Sequence, residues 1–427
     1  MLLRHITPTT RRPTFMGNKR SPRGVPRQRH VRHRVQRAAR QIDSMSFFNL
    51  VTGPELLEEL EALLPKYRER KYSPTVTLAM FLGQVLSADG SCQNAVNEAV
   101  VNQLLRGQEP GSANTGSYSD ARKRLPRELV QELAHSVARQ MGTRTPAQWS
   151  WRGRHIKLVD GTTILLPDTP ENQALYPQHG GQKAGAGFPI APLVGVISLA
   201  HGALLDVALG SYKGKGTGEH ALFCELLQCF FPGDIMLSDS YYASYFLIAT
   251  LMGMGVDFVF EQHGTRHTDF RTGQTLGRRD HVKQWSRPAR LQWMSPEEYD
   301  SFPAAELRVR ETKVGKRELV SSFLNPRQVC KREVSSLFLQ RWHVKLDLRN
   351  VKDTLGLAML SCKTSAMCAK DLWVYVLAYN LIRLLMAQAV VQADVLPRKL
   401  SFEPTVQIWL IWSHKQFLSD AAEDLPA

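Results

Sequence analysis

Two short apolar runs in the middle of the chain, Ile156-Lys157-Leu158-Val159 and Ile235-Met236-Leu237-Ser238, each lead directly into an aspartate, Asp160 and Asp239. Strands of this kind alternate their faces and bury apolar side chains, so an acid at the end of each holds a rigid charge at the rim of a sheet. A lone Asp160-Gly161 pair reads first as a turn cap. The elements between the two acids argue against that reading. Ile190 to Leu199 and Ala203 to Leu209 are β-prone runs joined at His201-Gly202, a two-residue hairpin connection. Gly218 to Phe231 reads as a helix with Leu222, Phe223, Leu226, Leu227 and Phe230 on one face, and a second helix runs from Ser244 to Met254.

Strand, strand, strand, helix, strand, helix, with acids ending the first and fourth strands, is the element order of a ribonuclease-H-like core. The fold class expected is therefore α+β, with a mixed-sheet catalytic core in which the first and fourth strands are neighbours. Asp160 and Asp239 would then meet across about 80 intervening residues. Like charges held close need a cation, and paired carboxylates suit Mg²⁺ or Mn²⁺, hard ions that prefer oxygen ligands and can activate and stabilise the oxygens of a phosphodiester.

The remaining segments flank or interrupt this core. Residues 45–150 carry helical apolar spacing, as in Leu78, Phe81, Leu82, Val85 and Leu86, and include a basic stretch at Arg122, Lys123 and Arg124 that either lies in a DNA groove or is solvated. The core's first part is assigned to 151–262, with a polar excursion from Asp168 to Phe188 read as a mobile loop over the site. Residues 263–325 read as a β-rich insertion, 326–360 as a core helix, and 361–427 as a helical C-terminal segment. Trp285, flanked by basic residues, is either a packed indole or a platform for an unpaired base.

Net charge is +15 in 427 residues, which favours a polyanionic partner. Most of it sits in residues 1–44, where 12 Lys and Arg face the single acid Asp43, leaving a net of about +4 for the rest. That segment is either a disordered basic tail that grips DNA phosphates or translated leader upstream of Met45. It lacks the apolar stretch of a secretory signal. No uninterrupted apolar run is long enough to span a membrane; the nearest, Leu372 to Val391, contains Asn380, Arg383 and Gln388. The six cysteines show no paired spacing, so neither a disulfide nor a zinc site is expected. A carboxylate-pair glycosidase leaves the basic helix and the polar insertion without a role.

From about Phe48 onward the chain resembles the insertion-sequence-four family of bacterial DDE transposases. The matching blocks include Leu86-Ser-Ala-Asp-Gly-Ser-Cys92, Asn114-Thr-Gly-Ser-Tyr118, Val159-Asp-Gly-Thr162, Leu237-Ser-Asp-Ser-Tyr-Tyr242, Asp269-Phe-Arg-x-Gly273 and Arg341-Trp342 through Thr354-Leu-Gly356. The resemblance implies a DNA transposase that cuts and pastes an insertion sequence at its terminal inverted repeats, with Mg²⁺ as cofactor. Asp160 and Asp239 would be the first two catalytic, metal-holding acids. Double-stranded DNA would be the partner, a homodimer the synaptic unit, residues 45–150 the DNA-end-binding domain, and the bacterial cytoplasm, at the nucleoid, the location. Arg341 and Lys352 would contact phosphate, and Tyr242 or Trp285 an unpaired base.

The family's signature helix carries Tyr, Arg, Glu and Lys at offsets of 3, 4 and 7, the Glu being the third acid. Here those positions are Phe338, Arg341, Lys345 and Lys352. The spacing places all four along one helical face, but the third acid is replaced by Lys345. Asp347, about 200° around the helix, and Asp353, about 80° off and two turns away, do not point where Lys345 points. An ammonium about 4 Å from a divalent ion would be repelled by roughly 8 kcal/mol at an effective dielectric near 20. The alternative function is thus a catalytically impaired DNA-binding remnant.

Overall fold

The computed structural model describes residue 64 and residues 71–411, apart from 106, 182, 184–186, 215–216, 293, 303–305 and 394. The basic segment 1–44, Met45 and the last residues of the C-terminal segment lie outside the described residues, as does part of the loop at 168–188. The chain is a mixed α+β structure built on one large sheet. Nine strands lie in the order β3-β2-β1-β4-β5-β9-β8-β7-β6. They are β1 (Ile156–Leu165), β2 (Ile190–Ser198), β3 (Leu204–Leu209), β4 (Ile235–Ser238), β5 (Asp257–Glu261), β6 (Gln274–Gly277), β7 (Asp280–Trp285), β8 (Leu307–Val314) and β9 (Arg317–Ser321). β1 pairs antiparallel with β2 and parallel with β4, and β4 pairs parallel with β5. The adjacency of β1 and β4 required by the element order is therefore present.

Two details differ from the sequence reading. Asp160 does not end its strand: β1 continues through Gly161 to Leu165 because β2 pairs with it along its whole length, setting Asp160 opposite Gly195. Only the parallel pairing with β4 stops early, at Leu158 opposite Leu237. The β2–β3 connection spans residues 199–203, longer than two residues, with Gly202 at φ 77. Residues 263–325, read as a β-rich insertion, supply β6 to β9, which extend the same sheet outward from β5 through β9, β8 and β7.

Strand alternation divides the core between the two faces of the sheet. Leu158, Ile164, Leu193, Ile197, Leu237 and Val259 face one apolar cluster, which also takes in α1 (Pro74–Leu86), α4 (Arg127–Thr143) and α11 (Ser365–Ala393). Val159, Val194, Val196, Met236, Phe258 and Phe260 face the other, against α6 (Glu219–Glu225) and α7 (Tyr245–Gly253). The smaller helices α2 (Cys92–Leu105) and α3 (Gly116–Arg124) pack on α1 around Tyr72, Met80, Val96 and Tyr118. Two short helices, α5 (Pro170–Leu175) and α8 (Pro296–Ser301), sit in connections. The N-terminal helices and the C-terminal helix thus share a core with the sheet. Burying each of their Leu, Ile, Val or Phe side chains contributes about 1.5–3 kcal/mol.

Helix α11 explains its own polar residues. Its span Ser365–Val391, though interrupted by Asn380, Arg383 and Gln388, is by length and composition long and apolar enough to cross a membrane, yet 72% of its most apolar window is buried inside the protein. Asn380 accepts from the Leu204 amide at 2.9 Å and donates to the carbonyls of Leu204 and Ala134, tying α11 to β3 and α4. Arg383 is buried and donates to the carboxylate of Asp347, which Arg398 also reaches at 2.5 Å. Arg122 of α3 is also buried, 3.8 Å over the Phe81 ring, so it is neither a solvated residue nor a groove contact, unlike exposed Lys123 and Arg124. All six cysteines are free thiols.

Candidate active site

The site forms where β1 and β4 part. Asp160 stands two residues past the last β1–β4 pair, and Asp239 immediately follows β4 at the matching position. Parallel neighbours run about 4.8 Å apart, so both carboxylates emerge close together at the carboxyl end of the two strands. Asp239 is fixed by its own turn: its Oδ1 accepts from the Tyr241 amide at 3.0 Å, capping the helical turn Ser240–Tyr242. Asp160 Oδ1 accepts from the Gly161 amide at 3.0 Å. Asp160 is buried, and burial followed by the charge of Asp239 raises its pKa, against the lowering effects of Lys345, Arg341 and the Gly161 amide.

A third carboxylate reaches this gap from the other face of the sheet. Glu219 opens α6, which packs on the face to which Gly161 would direct a side chain. A Cβ on Gly161 would come within 2.6 Å of Glu219 Oε2 and closer still to its carboxyl carbon. Gly161 is therefore open space that Glu219 fills. Burial, then Asp160, then Asp239 raise the Glu219 pKa. Tyr242 lies behind the three acids. Its ring is fully buried, its hydroxyl has no hydrogen-bond partner, and burial followed by Glu219, Asp160 and Asp239 pushes its pKa up.

The signature residues come from a helix that is not continuous. α9 (Lys331–Leu339) stops, a turn at Gln340 and Arg341 follows, α10 runs from Trp342 to Arg349, and a π-helical turn occupies Asn350–Thr354. The single face expected from even spacing is broken accordingly. Phe338 is buried. Arg341 is 6% exposed, its Nε and Nη1 have no partner, and its guanidinium lies 5.4 Å from the Phe338 ring centroid. Lys345 is exposed, though it acts electrostatically on Asp160. Lys352 donates to Thr162 Oγ1 at 3.1 Å, joining the π-helical turn to β1 two residues beyond Asp160. Asp347 is consumed by its two arginines and Asp353 is exposed, so neither replaces a third acid.

Two sequence-derived residues are not placed to receive a base. Trp285 is 3% exposed, donates through Nε1 to Glu311 Oε1 at 2.8 Å, and has the Arg266 guanidinium 3.7 Å over its ring. It is a packed indole whose polar atom and open face are both used. Tyr242 is buried edge-on against Phe223 and Tyr241; Tyr241 is the exposed member of that pair. Glu219 was not singled out from the sequence. An acid at the start of a predicted helix is commonplace, and its one distinguishing signal was a strand glycine 58 residues earlier.

The donors fit a divalent cation in kind, since Asp160, Asp239 and Glu219 offer hard oxygens whose mutual repulsion a cation would relieve. Among the described residues, no three acidic, imidazole or thiol groups are already drawn together as a ligand set.

The architecture is thus an acidic cleft at the carboxyl end of adjacent parallel strands, overlooked by a basic helix. Residues 151–381 match the family described as Transposase DDE domain, and the chain belongs to that family. It is a DNA transposase of the insertion-sequence-four kind. Over 340 residues it is 27% identical to the transposase InsG for insertion sequence element IS4 of Escherichia coli (strain K12), covering 77% of this chain and 74% of that protein. Among solved structures it is similar to a piggyBac transposase in a synaptic complex with hairpin DNA. The TM-score is 0.45 at 7% identity, covering 87% of this chain and 81% of the other.

Proposed function

We propose that this transposase cleaves DNA at the terminal inverted repeats of its element and joins the freed ends to target DNA. Its ribonuclease-H-like core would work as a homodimer in the cytoplasm, at the nucleoid, with the helices before β1 gripping the DNA ends. The observation carrying this reading is the convergence of two unlike charges on one cleft: Asp160 and Asp239 where the pairing of β1 with β4 stops, and a buried Arg341 with N–H groups unpartnered among the described residues. Asp160 and Asp239 would hold Mg²⁺ or Mn²⁺. A divalent ion bound there supplies charge neutralisation at the scissile phosphodiester and activates the attacking oxygen. Arg341, desolvated by its surroundings, donates to a phosphate oxygen, where a charge-assisted hydrogen bond is strongest. Lys352, held by Thr162, contributes positive charge beside the strand that carries Asp160.

Cleavage of a plasmid bearing the element's ends, in Mg²⁺ or Mn²⁺, tests this. The unaltered protein should nick at the repeats, and Asp160→Asn and Asp239→Asn should each lower the rate by about 100-fold or more, some 2.7 kcal/mol on the barrier. Nicking that survives both substitutions, or that is absent from the unaltered protein and from Lys345→Glu alike, would overturn the assignment.

A further inference from the structure

We infer that Glu219 is the third carboxylate of the acidic cleft and binds the divalent cation together with Asp160 and Asp239. This rests on the proposed role of that pair. The position that should supply the third acid holds Lys345, whose ammonium is exposed, while Asp347 is locked to Arg383 and Arg398. Glu219 enters the same cleft by a different route. The β1–β4 pairing ends at Leu158 and Leu237, so on the β4 side no backbone ladder closes the space beside Gly161. Gly161 itself contributes no side chain, and the Glu219 carboxylate occupies the volume that a Cβ would take. This brings a third negative charge next to the strand residue that follows Asp160, within the fields of both aspartates.

The surroundings of Glu219 are those of a ligand rather than of a structural ion. Burial, Asp160 and Asp239 all disfavour its charged form, and no cation among the described residues offsets them. Structural buried acids in this chain have a base at hand, as Asp234 has Lys157 at 2.5 Å and Asp280 has Arg310 at 2.6 Å. Independently, the Tyr242 hydroxyl, fully buried and without a partner, sits among the same three acids, with Glu219 exerting the largest charge effect on it. A buried hydroxyl left unpaired there, beside acids that would hold a cation, points to an acceptor oxygen that would arrive with that cation. The competing role for Glu219, stabilising the amino end of α6 through the helix dipole, requires a negative charge but no Asp160.

The test is Mn²⁺ binding by the full-length protein without DNA, read from the electron paramagnetic resonance signal of free Mn²⁺ near neutral pH. Glu219→Gln should weaken binding about 10- to 100-fold, comparably to Asp160→Asn. Glu225→Gln, an exposed acid on the same helix, should leave it unchanged. Gly161→Ala, which displaces the Glu219 carboxylate without removing its charge, should weaken binding as well and serves if Glu219→Gln folds poorly. Adding Lys345→Glu to Glu219→Gln should restore affinity to within about threefold of the unaltered protein. Mn²⁺ affinity untouched by Glu219→Gln and Gly161→Ala but lost in Asp160→Asn would overturn the role of Glu219 while leaving the aspartate pair standing. Affinity untouched by Asp160→Asn as well would overturn the pair and Glu219 together.

Discussion

Two buried arginines, one on a strand and one in the turn between α9 and α10, have opposite fates. Arg310 of β8 is wholly buried and fully employed: Nε and Nη2 donate to Asp280 at 2.8 and 2.6 Å, and Nη1 donates to the carbonyls of Val329 and Phe323 at 2.6 and 3.3 Å. Arg341, 6% exposed, leaves Nε and Nη1 without partners and stands before an acidic cleft. The acids repeat the contrast. Asp280 receives Arg310 and the Thr312 hydroxyl at 2.6 Å, and those hydrogen bonds hold its pKa down despite burial. Asp160 is raised by burial and by Asp239, and Glu219 by burial and by both aspartates. Where charge serves the fold its desolvation is matched inside the protein; where it serves chemistry, the match is left for a ligand.

The largest effect should come from breaking the satisfied pair. Asp280→Ala strands a guanidinium among β7, β8 and the segment before α9, and should lower unfolding free energy by about 3–5 kcal/mol in denaturant titration. A loss below 1 kcal/mol would mean that Arg310 finds water or another partner, and the contrast with Arg341 would fail. A third buried group, His201, sharpens the rule by being satisfied only when neutral. Its Nδ1 accepts from the Ala203 amide at 3.2 Å, and burial, with Arg398, His155 and Arg383 nearby, lowers its pKa to about 3. The unfolded chain takes up a proton near pH 6.5 that the folded chain refuses until about pH 3. Stability is therefore full above 6.5 and declines on acidification by up to ~1.4 kcal/mol per pH unit within that window. His201→Asn should remove that part of the slope in melts recorded across pH 4–7.

These contrasts also mark what the sequence carried. The meeting of Asp160 and Asp239 was legible because period-two apolar runs and the helices between them dictate strand order, and strand order alone makes β1 and β4 neighbours. The extent of β1 was not, because Asp160 and Gly161 look like a turn unless Gly195 and Val194 of β2 are known to pair with them. The outer strands read as an insertion because the stretch from Gly264 to Gln284 is very polar, with Arg266, Arg271, Arg278, Arg279 and Lys283. Only in three dimensions does Glu311 receive Trp285 and His281, at 2.8 and 2.7 Å, and so become core. The same blindness left Arg122 open between a groove contact and a solvated charge, and Trp285 open between a packed indole and a base platform. Glu219 was invisible for the converse reason, since its meaning depends on a missing side chain across the sheet.

Arg341→Met should have a smaller effect on stability and of opposite tendency. Removing a buried guanidinium with unmade hydrogen bonds should leave unfolding free energy unchanged or raise it by about 1 kcal/mol. DNA binding should suffer instead, with affinity for the element's ends reduced and the slope of log K against log salt shallower by about 0.9, the contribution of one phosphate contact. A stability loss of the size expected for Asp280→Ala would show that Arg341 is structural.

The smallest change expected in the fold comes from Gly161→Ala, and it probes the cleft most directly. The clash a Cβ would create is with the far end of a flexible side chain, and Gly161 sits in ordinary strand backbone, outside the positive-φ glycines. Glu219 can swing aside, so unfolding free energy should move by less than about 1 kcal/mol. The swing takes a charge away from Asp160 and Asp239 and leaves Tyr242 with two acidic neighbours in place of three. Thermal melts that hardly shift, beside a Mn²⁺ affinity that falls, would mean that the absence of a side chain at Gly161 serves the ion and not the strand. A destabilisation of several kcal/mol would instead make Gly161 a packing requirement of β1, and the carboxylate beside it an incidental neighbour.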